Sequence, residues 1–206
     1  DLKGLDKALQ LTANEREAVL RLGDRLPVGI TPYYASLMNS QDPHDPLRLT
    51  IELGEDADFI ALLKFEPGKE YVIASSDGRG FRVKSDDVLA QTKNGKVVLN
   101  VETPEEARAI CEVKGDHIAV IGENRKLLIF KLSELPEMSR GKGITLQKYK
   151  DGGLSDITTL NLKDGLSWKS GAGVRTETAI KEWVGERAQA GRLPPQGFAR
   201  SNKFGV

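Results

Sequence analysis

The apolar residues change their period near residue 48. Before that point the spacing is helical. Thr12 can cap a helix N-terminus with Glu15 at the capping-box position, and Ala18, Val19 and Leu22 form a stripe that Gly23 ends. Pro27 and Pro32 break the pattern, Tyr33 to Met38 fits one more short helix, and Asn39 to Pro46 (NSQDPHDP) reads as a turn-rich linker. Residues 1–48 are therefore expected to be a helical N-terminal segment with its linker.

From Leu49 the pattern alternates. Arg48 to Leu53 does so strictly, and so does much of Phe59 to Phe65. Strands are expected at Tyr71–Ala74, Gly80–Val83, Lys96–Val101, Ala109–Val113, His117–Ile121, Lys126–Phe130 and Ile144–Gln147. Turn signals part them at Pro67-Gly68, Asp77-Gly78, Asn94-Gly95, Lys114-Gly115-Asp116 and Glu123-Asn124. Short strands joined by tight turns predict an all-β sandwich, barrel or propeller-like array over residues 49–168.

A repeat narrows this choice. Tyr71 to Val83 (YVIASSDGRGFRV) lies over His117 to Ile129 (HIAVIGENRKLLI) at an offset of 46 residues. With one inserted residue the match continues, Asp86-Asp87-Val88-Leu89 over Ser133 to Pro136 and Thr92 to Leu99 over Ser139 to Leu146. A period of this length is blade-sized, and a third unit is expected to begin at Leu154 to Leu160, which resembles the lead-in strand Asp58 to Leu63. Residues 169–206 are expected to hold a helix from Thr176 to Ala190, with Ile180, Trp183 and Val184 on one face, stopped by Pro194-Pro195 and followed by a basic, extended or frayed tail.

Composition is that of a globular domain: of 206 residues 39% are hydrophobic and 29% charged. No apolar run approaches the roughly 20 residues that span a bilayer, and the first residues lack a secretory pattern, so a cytoplasmic location without membrane contact is expected. One cysteine, Cys111, precludes an internal disulfide, and with only His44 and His117 beside it no metal cluster is expected. Cys111 reads as a buried structural thiol. The net charge of zero hides an uneven distribution. Residues 1–48 carry 6 bases and 7 acids, residues 49–138 carry 12 and 17, and residues 139–206 carry 12 and 6. A basic last third is the kind of footprint a polyanion recognises.

Ser75 to Phe81 (SSDGRGF), Gly122 to Leu128 (GENRKLL) and above all Leu135 to Leu154 (LPEMSRGKGITLQKYKDGGL) resemble the C-terminal domain of the bacterial topoisomerase IV A subunit. The closing GRLPPQGFARSNKFG resembles the end of the same polypeptide, so the resemblance covers residues 47–205. It implies a β-pinwheel, a propeller-like disc with a basic rim that holds or bends duplex DNA for ATP-dependent strand passage. The box Ser139 to Gly143 is shorter than the DNA-wrapping box of gyrase A subunits, which favours topoisomerase IV. Such a disc has more blades than the units counted here, so a partial pinwheel is expected. The family's ATP and Mg²⁺ act on other domains or subunits, and its cleavage tyrosine has no counterpart here, so the chain is expected to be non-catalytic, without a cofactor of its own. Residues 1–48, through LTANERE, LPVGITPYYASL and DPHDPLR, are similar to the start of lysine 2,3-aminomutase-like radical enzymes. The cysteine triplet that would hold an iron–sulfur cluster is missing, which excludes that chemistry and suggests a fusion, truncation or recombinant joined near residues 45–48.

A DNA platform needs Lys and Arg at turns and edges, where they neutralise phosphates and release counterions. The candidates are Arg79, Arg82, Arg125 and Lys126 in the hairpin turns, Lys93, Lys96, Arg140 and Lys142 in the glycine boxes, and Lys148 and Lys150 directly after. Gly141 and Gly143 are either an amide nest for phosphate or turn positions needing φ > 0. Asp77, Asp86, Asp87 and Glu123 read as turn formers rather than metal or acid–base groups, and Ser75-Ser76 lacks a nucleophile elbow. His117, aligned with Tyr71, reads as packing, as do Tyr33-Tyr34 and Trp183, and Gly78-Arg79-Gly80 is too short for a phosphate loop. The expected partners are duplex DNA and other topoisomerase IV domains or subunits. The alternative is a propeller-like protein-interaction fragment, favoured by the acidic balance of residues 49–138.

Overall fold

The computed structural model describes residues 60–61, 63, 65–91 and 95–205. The N-terminal helical segment, its Tyr33-Tyr34 pair, the strand at Arg48–Leu53 and Lys93 lie outside them. The chain divides into two units, Asp1–Asp58 and Phe59–Val206, and every described residue belongs to the second. It is built of antiparallel hairpins. β1 (Glu70–Ser75) and β2 (Arg79–Lys84) form the first, followed by a one-turn helix α1 (Ser85–Val88) and strand β3 (Ala107–Glu112), which pairs with β1. β4 (His117–Gly122) and β5 (Leu127–Lys131) form the second, followed by a 3₁₀ turn at Leu132–Glu134, a short β6 (Ile144–Thr145) and β7 (Leu154–Leu160), which pairs with β4. β8 (Leu166–Ser170) and β9 (Gly173–Glu177) form the third.

The repeat is real, but its register is 47 rather than 46. The pair Tyr71↔Val83 in the first hairpin stands where Ile118↔Phe130 stands in the second, and Tyr71↔Glu112 where Ile118↔Thr159 does. Ser85 N–H donates to Lys69 O at 2.8 Å, as Leu132 N–H does to Asp116 O at 3.0 Å. One residue of slip moves each side chain to the opposite face of its sheet. In the observed register Val72 and Ala74 pack with Ile118 and Val120 in one cluster, while Ala119 and Ile121 pack with Leu166, Trp168 and Trp183 in the next. Each core thus lies between successive units. His117 corresponds to Glu70, not to Tyr71, and its Nδ1 is 2.8 Å from the neighbouring Asp116 carboxylate. The sequences align equally well at 46 because the first strand of each hairpin is buried on both faces, which leaves no alternation to fix the register.

The outer edges of the first two hairpins are closed from the following unit. β6 pairs with β2, Arg79↔Thr145 and Gly80↔Ile144, after a parallel bridge Arg82↔Glu137. In the second unit Leu127↔Arg192 and Ile129↔Val184 repeat this arrangement. The helix expected at Thr176–Ala190 is therefore not formed. Its start is the end of β9, its centre is a 3₁₀ turn at Lys181–Trp183, and its last part runs along the edge of β5. The backbone groups of that edge need partners, and Gly185 N–H supplies one to Ile129 O at 2.8 Å, a tertiary demand that overrides helix propensity. Ile180 and Trp183 are buried as a helical stripe would be, and Trp183 Nε1–H donates to Leu193 O at 2.7 Å, which supports a packing role for Trp183.

Two further expectations are corrected. Lys96–Val101 forms no strand and makes a single parallel bridge, Leu99↔Gly141. The C-terminal tail is not frayed. Phe198 and Phe204 are buried, each in ring contact at 5.4 Å, Phe198 with Trp168 and Phe204 with Phe198. Polar bonds hold the same segment: Phe204 N–H to Asp156 at 2.8 Å, Ser155 Oγ–H to Asn202 O at 2.9 Å, and Lys169 N–H to Phe204 O at 2.6 Å. Cys111 packs partly buried against the core between the first two units, and burial pushes its thiol up to about 12, consistent with a structural thiol.

Candidate nucleic-acid interface

Residues 139–150 carry four bases, Arg140, Lys142, Lys148 and Lys150, and no acid. The fold lays this stretch along sheet edges. Gly143, at φ +72°, turns the chain onto β2, and a Cβ there would meet Gly80 O at 2.4 Å, so the close approach of two backbones demands glycine. Gly191, at φ +75°, does the same beside Leu127 O at 2.5 Å. Successive boxes also bond to one another. Gly141 N–H donates to Val98 O at 3.0 Å and Asn100 N–H to Gly141 O at 2.8 Å; one unit on, Ala188 N–H donates to Leu146 O at 2.8 Å and Lys148 N–H to Gln189 O at 3.1 Å. Three boxes therefore form one edge. The amide of Gly141 is spent on Val98, and Gly143 serves the turn against Gly80.

The candidate bases fall into two sets. Arg79, Lys96, Arg140, Lys142, Lys148 and Lys150 are exposed or half-exposed. Arg79 lies 3.4 Å from Asp77, Lys96 Nζ donates to Asp87 O, Arg140 Nε–H donates to Asn100 Oδ1 at 3.1 Å, and Lys142 pairs with Glu102 at 2.5 Å. Lys142 holds the Glu102 carboxyl below its ordinary value. Arg79 and Lys142 share a cleft of about 310 Å³ with Glu102 and Glu105. The second set is committed to the fold. Arg82 spans Glu70 at 2.8 Å and Leu135 O at 2.9 Å, and Arg125 binds Asn202 Oδ1 at 2.9 Å and Ala199 O at 3.2 Å. Arg125 also takes the left-handed turn position, φ +58°, that Gly78 takes in the first hairpin. Lys126 sits half-buried beside it, its amide donating to Asn124 Oδ1 at 3.1 Å.

Asp77 behaves as a turn former, accepting from Ser75 Oγ–H at 2.5 Å and Arg79 N–H at 3.2 Å. Among the described residues no group of three or more His, Cys, Asp or Glu is placed to hold a metal ion, and no helix is long and apolar enough to cross a membrane. Two bases are missed by the sequence reading because their segment carries helical spacing. Arg192 follows Gly191 as Ile144 follows Gly143 and is exposed, and Arg187 donates to Thr145 O at 2.6 Å. Glycine followed by a base 48 residues after Gly143, one more than the period, is the signal that could have found Arg192.

Comparison with known proteins places this geometry among relatives. The DNA gyrase C-terminal domain, β-propeller, matches residues 69–109 and 116–160. The DNA topoisomerase 4 A subunit of Caulobacter vibrioides is 47% identical over 162 residues, 78% of this chain and 21% of that protein. Its Rickettsia bellii counterpart is 44% identical over 160 residues, 78% of this chain and 22% of that protein. The chain thus spans about a fifth of the length of these curated relatives. The solved E. coli ParC C-terminal domain shares the fold with a TM-score of 0.63 at 21% identity, over 78% of this chain and 69% of that one. A 48-residue stretch is 48% identical to a putative L-lysine 2,3-aminomutase of Aquifex aeolicus, covering 23% of this chain and 13% of that protein.

Proposed function

Since the β region of this chain belongs with the C-terminal β-pinwheel domains of topoisomerase IV A subunits, we propose that it is a non-catalytic module that holds or bends duplex DNA for the strand passage of a larger, ATP-dependent enzyme. The observation that carries this reading is the edge of stacked glycine boxes, where residues 139–150 present four bases and no acid. Phosphates lie at regular spacing along a duplex, and a row of exposed bases on a rigid edge neutralises them without reading sequence. The contacts fall to the accessible set, Arg79, Lys96, Arg140, Lys142, Lys148 and Lys150, joined by Arg192. Lys93 and Lys126 belong to the same boxes and turns in sequence, and Arg82 and Arg125 support the platform through their fixed bonds. Other topoisomerase domains or subunits are the remaining partners of this reading, and the cytoplasm its location.

The test is equilibrium binding of the chain to a labelled duplex across a salt series. Affinity should fall log-linearly with salt, with a slope of about −0.9 per phosphate neutralised, and should be alike for unrelated sequences. Binding that is absent at low salt, or indifferent to salt, would overturn the reading. The alternative, a protein-interaction fragment, draws on the 17 acids against 12 bases of residues 49–138. Absent duplex binding would favour it.

A further inference from the structure

A second cleft, of about 600 Å³, opens between the turn of the β1–β2 hairpin and the turn of the β4–β5 hairpin. Three buried side-chain atoms among the described residues lack a hydrogen-bond partner, Arg108 Nε, Gln147 Oε1 and Tyr149 OH, and all three residues line this cleft. Such atoms cost free energy unless something satisfies them. Their polarity is fixed. Gln147 is 1% exposed, and its Nε2 donates to Lys126 O at 3.0 Å and Ala190 O at 2.8 Å, so the remaining oxygen can only accept. The Arg108 guanidinium meets Glu106 at 3.2 Å and Glu123 at 3.6 Å, leaving Nε–H as a donor. Burial and the carboxylates of Asp77 and Glu123 hold the Tyr149 phenol above its ordinary value, so its proton stays on at neutral pH.

An occupant must therefore bring a donor to Gln147 and an acceptor to Arg108. A peptide backbone carries both kinds of group. The mouth carries Asp77, Glu105 and Glu123 against Arg108 and Lys148; Asp77 faces Arg79 at 3.4 Å and Glu123 faces Arg108 at 3.6 Å, while Glu105 accepts from Ser76 Oγ–H and has no ion pair among the described residues, so a cation is best received at Glu105. We propose that this cleft is a docking site for a short polypeptide segment bearing a basic side chain, its backbone supplying partners to the orphaned atoms and its charge facing Glu105. The volume lies in the range of roughly 300–1,000 Å³ of sites that enclose small ligands. The cleft shares Lys148 with the proposed DNA edge, so peptide binding is measured without duplex and duplex binding without peptide, and each reading can fail separately.

The experiment is amide chemical-shift mapping on the intact chain with the blocked tripeptides Ac-Gly-Arg-Gly-NH₂ and Ac-Gly-Glu-Gly-NH₂. Saturable shifts centred on Asp77, Glu105, Glu123 and Gly153 with the arginine peptide alone are the expected result. Tyr149→Phe, which keeps the ring, should weaken that binding by about 3–10-fold, the worth of one hydrogen bond, and leave duplex binding unchanged. Glu105→Gln should weaken it as well. No saturable shift, equal shifts with both peptides, or no effect of Tyr149→Phe would overturn the proposal and leave the cleft as a pocket of ordered water.

Discussion

Tyr149 is wedged between two hairpin turns. A Cβ on Gly78 would lie 2.4 Å from its Cε2, and one on Gly122 would lie 2.6 Å from its Cε1. Gly122 has no unusual backbone angle, so its glycine is required by the neighbour and not by conformation. Gly122→Ala should therefore destabilise the chain by about 1–3 kcal/mol, and Gly122→Ala combined with Tyr149→Leu should cost less than the sum, both read by denaturant unfolding. Asp156 makes a prediction of opposite sign. Burial holds its carboxyl above the ordinary value despite the Phe204 amide. A raised acid stabilises the fold only while protonated; that contribution is complete below the ordinary aspartate range and is lost as pH rises through the folded value. Asp156→Asn, whose amide oxygen can still accept from Phe204, should raise Tm at pH near 7 and leave it unchanged at strongly acid pH. A lower Tm at neutral pH would contradict this.

The C-terminal segment behaves as an element of the fold. Phe204 is 1% exposed and lies in the cluster of Trp168 and Trp183. Phe204→Ala should cost about 3–5 kcal/mol and should first loosen the β8–β9 hairpin, visible as faster hydrogen exchange at Lys169 than at Ile118. This element also marks how far sequence can be read. β1, β4 and β5 are legible as runs of apolar residues next to turn signals, β2 as the alternation of Phe81 and Val83 with Arg82 and Lys84, and two copies of the pattern reinforce each other. The glycine boxes are legible as repeats, though their edge-to-edge bonding is not. Lys181–Trp183 and the tail are not legible, since Ile180, Trp183 and Val184 have spacing that fits a helix or a 3₁₀ turn, and only the unfilled edge of β5 decides between them. The basic residues can be found individually. Which of them are spent inside the protein, as Arg82 is on Glu70, depends on contacts between distant segments.

At the scale of the molecule a neutral chain presents a basic edge and an acid-rich cleft on one framework. Arg140→Glu with Lys142→Glu should weaken duplex binding for every sequence alike and make the salt dependence shallower by about two counterions, measured by fluorescence anisotropy. Arg192→Glu should add to this loss, because it lies on the next box along the same edge. The way the first two sheets take their outer segment from the following unit has a genetic consequence. The stretch that repeats in sequence and the stretch that closes a sheet are out of phase, so recombination that removes or inserts one whole period, beginning anywhere within it, still hands each hairpin a closing strand. A premature stop codon has no such neutral position: wherever it falls within the array, the last complete hairpin is left without its edge.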